Sequence, residues 1–297
     1  MYVHVGPYAE FFPDFMADSV FQVVKWNPGA VVHIVIPQIF LNRTSMVDAS
    51  QAPGASVFLW AIEDLPKSAD HIMFEHGSTQ DRGFRGGFWR VTTERLFILD
   101  DFLRFHGINE AVHMENDNLI YFSLRDKIGA FRKHYPGLTM TPHACAAFVY
   151  VGNRSVLSGL VASMTNATAD EMMMVNAYSQ HHGYEAIGPL PIVAPGDVGS
   201  LPGYTRNYEA FGGLFDGAPH GQYIGGPDPR NNHGGPGFVN SQAPYATRDF
   251  DYEWTVDPKT GLRLMHMRKK LDQGGSGEWR PLLHLHIHCK NLTQFSS

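Results

Sequence analysis

The chain has 297 residues, of which 43% are hydrophobic, and it contains 20 Phe, 12 Tyr and 5 Trp. This size and composition predict one large domain or two small ones. The net charge is −6 and no long Lys/Arg run stands out, which disfavours a nucleic-acid partner because such binding depends on neutralising phosphates. Without a signal-peptide pattern or 18 consecutive apolar residues, we expect no transmembrane segment and, by default, a cytoplasmic protein. Cys145 and Cys289 match no zinc or redox motif and are expected to be free thiols.

The first part of the chain alternates strand and helix patterns. Residues 2–5 form a short apolar strand pattern, and residues 15–25 carry apolar side chains at helical spacing. Two further apolar runs, at 31–36 and 56–61, predict strands. This β-α-β-x-β order predicts an α/β sheet whose strands are largely parallel.

A Gly-rich stretch at 82–88 precedes a second series of elements. The patterns predict, in order, a helix over 89–105, a strand over 111–114, a helix over 124–134, a strand over 146–151, and helices over 155–164 and 169–181. Ser155 is expected to cap the first of these last two helices.

From residue 188 to residue 245 the regular periodicity disappears, and glycine and aromatic residues dominate. A structureless loop of this length is unusual unless it is functional. Because its composition differs from that of a Ser/Gln/Glu linker, we predict an ordered substrate-binding lobe. A hairpin across 257–261 and a last strand over 281–288 complete the series.

Two carboxylates, Glu115 and Asp117, follow directly after the apolar stretch 111–114. Residues i and i+2 of an extended chain point to the same side, so both carboxylates can reach one divalent cation. Their hard oxygens suit Mg²⁺ or Mn²⁺, ions that are usually shared with substrate phosphates. The E-x-D triplet therefore suggests an enzyme that holds a metal-bound diphosphate, and the alternative is a solvated turn after a strand.

Three imidazoles alternate with apolar residues in the last strand, at His284, His286 and His288. Alternation places them on one face, which is a common way to present a metal ligand. The alternatives are a strand with one polar face, or a metallohydrolase built on the three histidines. Lys290 follows closely and offers a point charge to a phosphate.

Asp170 and Glu171 lie at the predicted start of the helix over 169–181. The helix macrodipole alone favours carboxylates there. The functional hypothesis makes one of them, with a slight preference for Glu171, the general base that deprotonates an acceptor hydroxyl.

Arg82, Arg85 and Arg95 flank or follow the Gly loop at 83–88. They are candidates for clamping a diphosphate or a sugar, and the alternative for each is ordinary surface charge.

Asp216, Gln222 and Asp228 lie among glycines of the tract 188–245. Glycine lets the backbone approach a ligand closely, so these side chains are candidates for recognising sugar hydroxyls. Asp216 is equally suited to shape its own turn.

Four blocks occur in an order that resembles glycosyltransferases of the GT-A type, whose α/β fold binds nucleotide sugars. They are YVHVG at the N-terminus, HMENDNLIYF at 113–122, TADEMMMVNAY at 168–178 and HLHIHCKNLTQF at 284–295. More narrowly, FRGGFWRVTTERL, HMENDN, GLFDGAPHGQYIGGPDPRN and the C-terminal HIHxK block resemble a family of little-characterised transferases in microbes and large DNA viruses. The chain departs from the usual D-x-D metal motif by having E-x-D.

The resemblance implies a single GT-A-like domain with a mixed central sheet flanked by helices. Its nucleotide-sugar-binding half would be 1–122, and its acceptor-binding half, with the C-terminal metal-site strand and the Gly-rich lobe, would be 123–297. The implied activity is metal-dependent transfer of a sugar from a nucleotide-diphosphate sugar to a glycan or another hydroxyl acceptor. The alternatives are a metal-dependent hydrolase or a non-catalytic carbohydrate-binding protein.

The resemblance also implies roles for individual residues. Asp117, Glu115 and one of His286 or His288 would hold Mn²⁺ or Mg²⁺. Lys290 and an arginine would share the charge of the departing diphosphate. It specifies neither the donor, nor the acceptor, nor whether the anomeric centre is inverted or retained.

Overall fold

The computed structural model describes residues 1–5, 12–142, 145–198, 201–230 and 234–297. Within these ranges the chain folds around a seven-stranded mixed sheet that is flanked by helices. This architecture confirms the α/β fold predicted from the sequence.

The strands of the described chain are distributed over two sheets. They are β1 (Tyr2–Val3), β2 (Val31–Ile36), β3 (Ser56–Ala61), β4 (Ala111–Met114), β5 (Asn118–Ile120), β6 (Leu138–Thr141), β7 (Cys145–Val151), β8 (Ile187–Pro189), β9 (Leu214–Phe215), β10 (Phe250–Val256), β11 (Arg263–Lys269) and β12 (Arg280–His286). The large sheet has the order β3-β2-β1-β4-β7-β6-β8, in which β7 runs antiparallel to both its neighbours and the other pairs are parallel.

The helices of the described chain vary from one to five turns. They are α1 (Met16–Trp26), α2 (Thr44–Ser50), α3 (Ala69–Gly77), α4 (Phe88–Phe105), α5 (Leu124–His134), α6 (Arg154–Ser163), α7 (Glu171–His182), α8 (Pro202–Thr205), α9 (Tyr208–Phe211) and α10 (Pro219–Gly225). No helix among the described residues combines the length and apolar character that crossing a bilayer requires.

The large sheet separates two hydrophobic clusters. Alternation along β2 directs Ile34 into the cluster that contains Val20 of α1, and Val35 into the cluster that contains Phe102 of α4. All four side chains are fully buried, and burying a side chain of this kind stabilises the fold by about 1.5–3 kcal/mol. Helices on both faces thus hold the sheet between two cores.

A second sheet, of order β10-β11-β12-β5, brings the C-terminal strand beside the E-x-D segment. β12 pairs antiparallel with β5, so that His286 faces Asn118 across the ladder. A third cluster packs Leu119 of β5 together with Leu285 of β12 and Ile287 just beyond it. The two distant segments are therefore held together by a strand pairing and a shared core.

Several predicted elements have the observed bounds, namely β2, β3, β4 and α5. The last strand was predicted too long: it ends at His286, and His288 lies beyond it. The predicted cap of α6 was wrong, because the Asn153 side-chain oxygen accepts from the Ser155 backbone N–H at 2.9 Å and makes Asn153 the cap.

The tract 188–245 is more ordered than its sequence pattern indicates. It contains β9 and the short helices α8, α9 and α10, while residues 199–200 and 231–233 lie outside the described ranges. The elements α2, α3, β5, β6 and β8 were not predicted from the sequence.

Candidate metal and substrate site

The strand order of the large sheet reverses between β1 and β4. From β1 the chain continues outward to β2 and β3, whereas the strands beyond β4 extend the sheet in the other direction. Ligands of α/β proteins bind outside the carboxyl ends of the strands at such a reversal. The carboxyl ends of β1 and β4 lead into His4 and Glu115. Both residues line a cavity of about 1130 Å³.

Most of the candidate residues from the sequence line this cavity. Its charged, carboxamide and imidazole side chains include His4, Arg85, Arg95, Glu115, Asn116, Asp117, Asp170, Glu171, Gln222, Asp228, Arg230, His286, His288 and Lys290. The predicted metal, base and phosphate residues, apart from Arg82, therefore face one common space.

Glu115, Asp117 and His286 form the centre of the site. Each offers one ligand atom, and these three atoms all lie within 4.8 Å of one another. His286 Nε2 is 3.2 Å from Asp117 Oδ2 and 3.3 Å from Glu115 Oε2. The carboxylates converge in the turn between β4 and β5, and not along a strand as expected. The Ile287 N–H donates to the Asp117 carbonyl at 2.8 Å and holds this turn against β12.

The central carboxylate is surrounded by positive charge. Lys290 Nζ donates to Asp117 Oδ2, and Asp117 is almost completely buried. Burial alone would raise the pKa of Asp117, but the charges of His286 and Lys290 outweigh it and hold this pKa well below its usual range. Burial conversely lowers the pKa of His286, but the Asp117 carboxylate outweighs it and raises this pKa well above its usual range. Two carboxylates and an imidazole fit a divalent cation, which would replace the His286 proton.

Arg95 connects the central cluster to α7. Its Nη1 donates to Glu115 Oε1, and its Nη2 donates to Glu171 Oε1 at 2.9 Å. Arg95 and Glu171 are both buried. The guanidinium thus ties a candidate metal ligand and the candidate base to one residue of α4.

The two acidic residues at the start of α7 have different surroundings. Asp170 caps the helix, since its Oδ1 accepts from the Met173 N–H at 2.8 Å. Glu171 Oε2 is buried and has no hydrogen-bond partner among the described residues. Burial raises the pKa of Glu171, although the charge of Arg95 opposes this shift. The two residues therefore differ in burial and in role: Glu171 is a buried carboxylate with one oxygen unengaged among the described residues, whereas Asp170 serves as the helix cap.

Of the two arginines in the Gly-rich stretch 82–88, Arg85 faces the cavity and Arg82 faces solvent. Arg85 lines the cavity, and its Nη2 lies 3.4 Å from Asp228 Oδ2. Arg230, which sequence reasoning missed, also lines the cavity and contacts the same Asp228 oxygen at 2.8 Å. Arg82 is exposed and is not among the described residues that line the cavity.

Asp216 is fully buried and organises the backbone around it. Its carboxylate accepts from the N–H groups of Ala218, His220, Gly221 and His286, at 2.8–3.2 Å. This is the turn-shaping role that the sequence left open, and a sugar hydroxyl would have to replace one of these donors. Gln222 lines the cavity, where its Oε1 accepts from Asn240 Nδ2 at 3.0 Å.

The three histidines of the C-terminal segment have separate environments. His284 Nε2 lies 2.5 Å from Asn118 Oδ1, and burial lowers the pKa of His284 to about 3. The His288 ring packs 4.0 Å from the His286 ring, centroid to centroid. Of the three, only His286 belongs to a metal-capable group among the described residues. The hydrolase alternative, which needs three or more His or Asp ligands, gains no support from His284 or His288, because neither belongs to a metal-capable group among the described residues.

Sequence reasoning gave no prediction for His4, Asn116 and Cys145, three further residues near the centre of the site. His4 Nδ1 lies 3.2 Å from Asn116 Nδ2, and Cys145 Sγ lies 3.9 Å from His286 Nδ1. The position of His4 directly after the first strand is a usable signal, because that end of a parallel strand faces the ligand crevice. Cys145 carries no comparable signal, because its proximity to His286 arises only in the folded chain.

Comparisons with known proteins place few constraints on this chain. No family model matches its sequence, and no curated protein matches it. Among solved structures it is similar to apo mouse xyloside xylosyltransferase 1, with 9% sequence identity, a TM-score of 0.44, and coverage of 64% of this chain and 84% of that chain.

Proposed function

We propose that this chain is a metal-dependent glycosyltransferase of the GT-A type. It would move a sugar from a nucleotide-diphosphate sugar to a glycan or another hydroxyl acceptor. The observation that carries the proposal is the Glu115/Asp117/His286 cluster, which lies in a large cavity at the strand-order reversal. Cations flank the cluster, and the combination suits a divalent ion shared with a diphosphate.

The proposed metal is Mn²⁺ or Mg²⁺, held by Glu115, Asp117 and His286. Such an ion would neutralise the charge that develops on the departing diphosphate. His288 is adjacent to His286 and lines the cavity, but it belongs to no metal-capable group among the described residues. We therefore assign His286 rather than His288 to the metal.

The diphosphate would bind to cationic side chains of the same cavity. Lys290 contacts Asp117, and Arg85 lines the wall formed by the Gly loop and the start of α4. We assign these two residues to the phosphates. Arg95 instead holds Glu115 and Glu171, and the exposed Arg82 is left without a role in the site.

The proposed base is Glu171. As the acceptor oxygen bonds to the anomeric carbon, the bond from that carbon to the diphosphate oxygen breaks and its electron pair leaves with the diphosphate. The acceptor proton passes to Glu171, whose Oε2 is not engaged by another described residue. This assignment describes an inverting transfer, in which the base and the leaving group lie on opposite faces of the sugar.

The two halves of the domain would divide the substrates. Residues 1–122 supply β1, β4 and the E-x-D turn, and we assign the nucleotide sugar to them. Residues 123–297 supply α7 and the Gly-rich lobe, where Gln222 and Asp228 line the cavity. We assign sugar hydroxyls to these two side chains. The lobe also contributes apolar wall through Ala218 and Pro244.

The test is binding and turnover of UDP-, GDP- and CMP-sugars with Mn²⁺ present or chelated. The comparison is between the wild type, Asp117→Asn and the matched control Asp272→Asn, which changes an exposed carboxylate. Metal-dependent turnover of one donor class, lost only in Asp117→Asn, supports the proposal. Sugar binding without nucleotide dependence would replace it with the carbohydrate-binding alternative.

A further inference from the structure

A second group of ligand-capable side chains lies between α3 and α4. His71 and Glu75 are on α3, Glu94 is on α4, and one ligand atom from each lies within 4.8 Å of the others. None of these three residues is among the described residues that line the large cavity. The group is therefore separate from the candidate site.

Helical spacing explains why these side chains meet. His71 and Glu75 are four residues apart on α3 and project from one face. Glu94 and Asp101 are seven residues apart, two turns along one face of α4. The helices are packed together through Phe74 and Phe97, whose ring centroids are 4.6 Å apart and nearly parallel. The apolar contact below the group holds the two polar faces in register.

His71 is oriented as a metal-ligating histidine. Its Nδ1 lies 2.6 Å from Asp101 Oδ2, and both residues are about 1% exposed. This contact favours the tautomer with the proton on Nδ1 and leaves the lone pair on Nε2. Nε2 is buried and has no hydrogen-bond partner among the described residues, although Glu94 Oε1 lies 3.7 Å away. This buried nitrogen faces Glu94. Burial lowers the pKa of His71, but the Asp101 and Glu94 carboxylates outweigh it and raise this pKa, so a bound ion would replace the proton on Nε2.

We propose that His71, Glu75 and Glu94 bind a divalent first-row transition metal of the Zn²⁺ class. One imidazole with two carboxylates is a donor set that Zn²⁺ takes in proteins, with water completing the coordination. Imidazole nitrogen favours such ions over Ca²⁺ and Mg²⁺ here, because no substrate phosphate completes an oxygen-rich ligand set as proposed at the central site. Asp101 is the positioning residue, because it holds the ring without reaching the ion.

The surroundings of the group are compatible with an ion. Glu75 contacts Lys67, whose side chain is 39% exposed, and a surface pair of this kind is worth about 1 kcal/mol or less. Glu75 and Glu94 are partly exposed, with side-chain accessibilities of 28% and 20%. An ion can therefore enter from solvent, and Lys67 can release Glu75 at low cost.

Such an ion would cross-link α3 to α4. Glu94 directly precedes Arg95, the residue that joins Glu115 to Glu171. The proposed metal would therefore stabilise the part of α4 that carries Arg95. This inference does not depend on the proposed glycosyltransferase activity.

The test uses Co²⁺ as a spectroscopic probe and Zn²⁺ in titration calorimetry, on the full chain. The Asp117→Asn background weakens the other cluster, so that the remaining binding reports on α3 and α4. We expect one equivalent of metal in this background, and its loss when Glu94→Gln or His71→Asn is added. The matched controls are His76→Asn, which changes an exposed histidine on α3, and Glu185→Gln, which changes an exposed glutamate. Both variants should still bind one equivalent of metal.

Asp101→Asn provides a graded measurement. Loss of an outer carboxylate typically weakens metal binding about 10–100-fold, and we expect a change of that size with the stoichiometry retained. Glu94→Gln removes no hydrogen bond described in this structure, so it should fold and keep the proposal falsifiable. Binding that survives Glu94→Gln, or no binding in the Asp117→Asn background, would leave only an imidazolium paired with Asp101 and overturn the proposal.

Discussion

The molecule contains two groups of carboxylates and imidazole with different surroundings. Glu115, Asp117 and His286 lie at the carboxyl ends of sheet strands, beside a large cavity, with Lys290 in contact. His71, Glu75 and Glu94 lie between two helices, away from the residues that line that cavity. Similar ligand types thus occur in a substrate-sized space in one case and in a helix interface in the other.

The difference shows that ligand identity alone does not indicate catalysis. The central cluster is joined to further charged groups, since Lys290 contacts Asp117 and Arg95 links Glu115 to Glu171. The helix cluster, which consists of His71, Glu75 and Glu94, is joined to Asp101. The Asp101 carboxylate contacts Nδ1 of His71. Charges directed at a cavity suit an anionic substrate, whereas a buried supporting carboxylate suits a structural ion.

The largest expected effect is on chemistry at the central site. In Glu171→Gln we expect kcat to fall about 10²–10⁴-fold, the usual contribution of a general base, while donor binding with Mn²⁺ is retained. The carboxylate must be ionised to accept a proton, so wild-type activity should rise with pH. Because burial raises the pKa of Glu171, the midpoint should lie above 4.5. Steady-state kinetics across pH measure the loss of kcat and the pH midpoint. An unchanged kcat in Glu171→Gln would show that Glu171 is not the base.

The second effect concerns the bridge between the central cluster and α7. Arg95→Met leaves Glu171 buried without its cation, and breaking a buried pair costs about 3–5 kcal/mol in free energy of unfolding. Adding Glu171→Gln should recover part of this loss, since the uncompensated charge is removed. Urea unfolding measures both. The control is Arg268→Met, which breaks a half-exposed pair with Asp251 and should cost about 1 kcal/mol or less.

Asp216→Asn tests whether backbone organisation or hydroxyl recognition dominates at this carboxylate. The amide cannot accept from all four N–H groups that Asp216 engages. Each buried donor left unpaired costs about 1–3 kcal/mol, so the melting temperature should fall. A stable variant with an altered donor or acceptor KM would instead favour direct substrate contact.

The smallest effect on the central site is expected from the helix cluster. Glu94→Gln should leave donor binding with Mn²⁺ unchanged, because Glu94 does not line the cavity. Without added metal its free energy of unfolding should fall by about 1 kcal/mol or less, because the only partner of Glu94 among the described residues is His71 Nε2 at 3.7 Å. With Zn²⁺, stabilisation should appear in the wild type alone. A loss of donor binding would show that the two clusters are coupled.

The sequence predicted much of the large sheet because its strands are continuous apolar runs. β2 and β3 pair in parallel along six residues, and their bounds were predicted correctly. β6 and β8 were missed because they are only four and three residues long and follow turns. α3 was missed because Ile72 and Met73 are exposed and blur its apolar face. Without α3, the spacing of His71 and Glu75 could not be recognised.

The candidate site was predicted where one segment supplied several ligands. Glu115 and Asp117 could be grouped from spacing alone, and the His strand was found by alternation. The joining of Asp117 to His286 depends on the pairing of β5 with β12, which are more than 160 residues apart. The bridge through Arg95 depends on α4 packing against both segments. Such long-range contacts are set by tertiary packing and leave no local pattern.

The central claim is that Asp117 holds a metal shared with a nucleotide diphosphate. The most direct measurement is calorimetric titration of UDP, GDP and CMP-sugars with and without Mn²⁺, on the wild type, Asp117→Asn and Asp272→Asn. We predict that one nucleotide class binds only with Mn²⁺, and that Asp117→Asn alone abolishes this binding. Nucleotide binding that is independent of both Mn²⁺ and Asp117, or its absence under every condition, would contradict the claim.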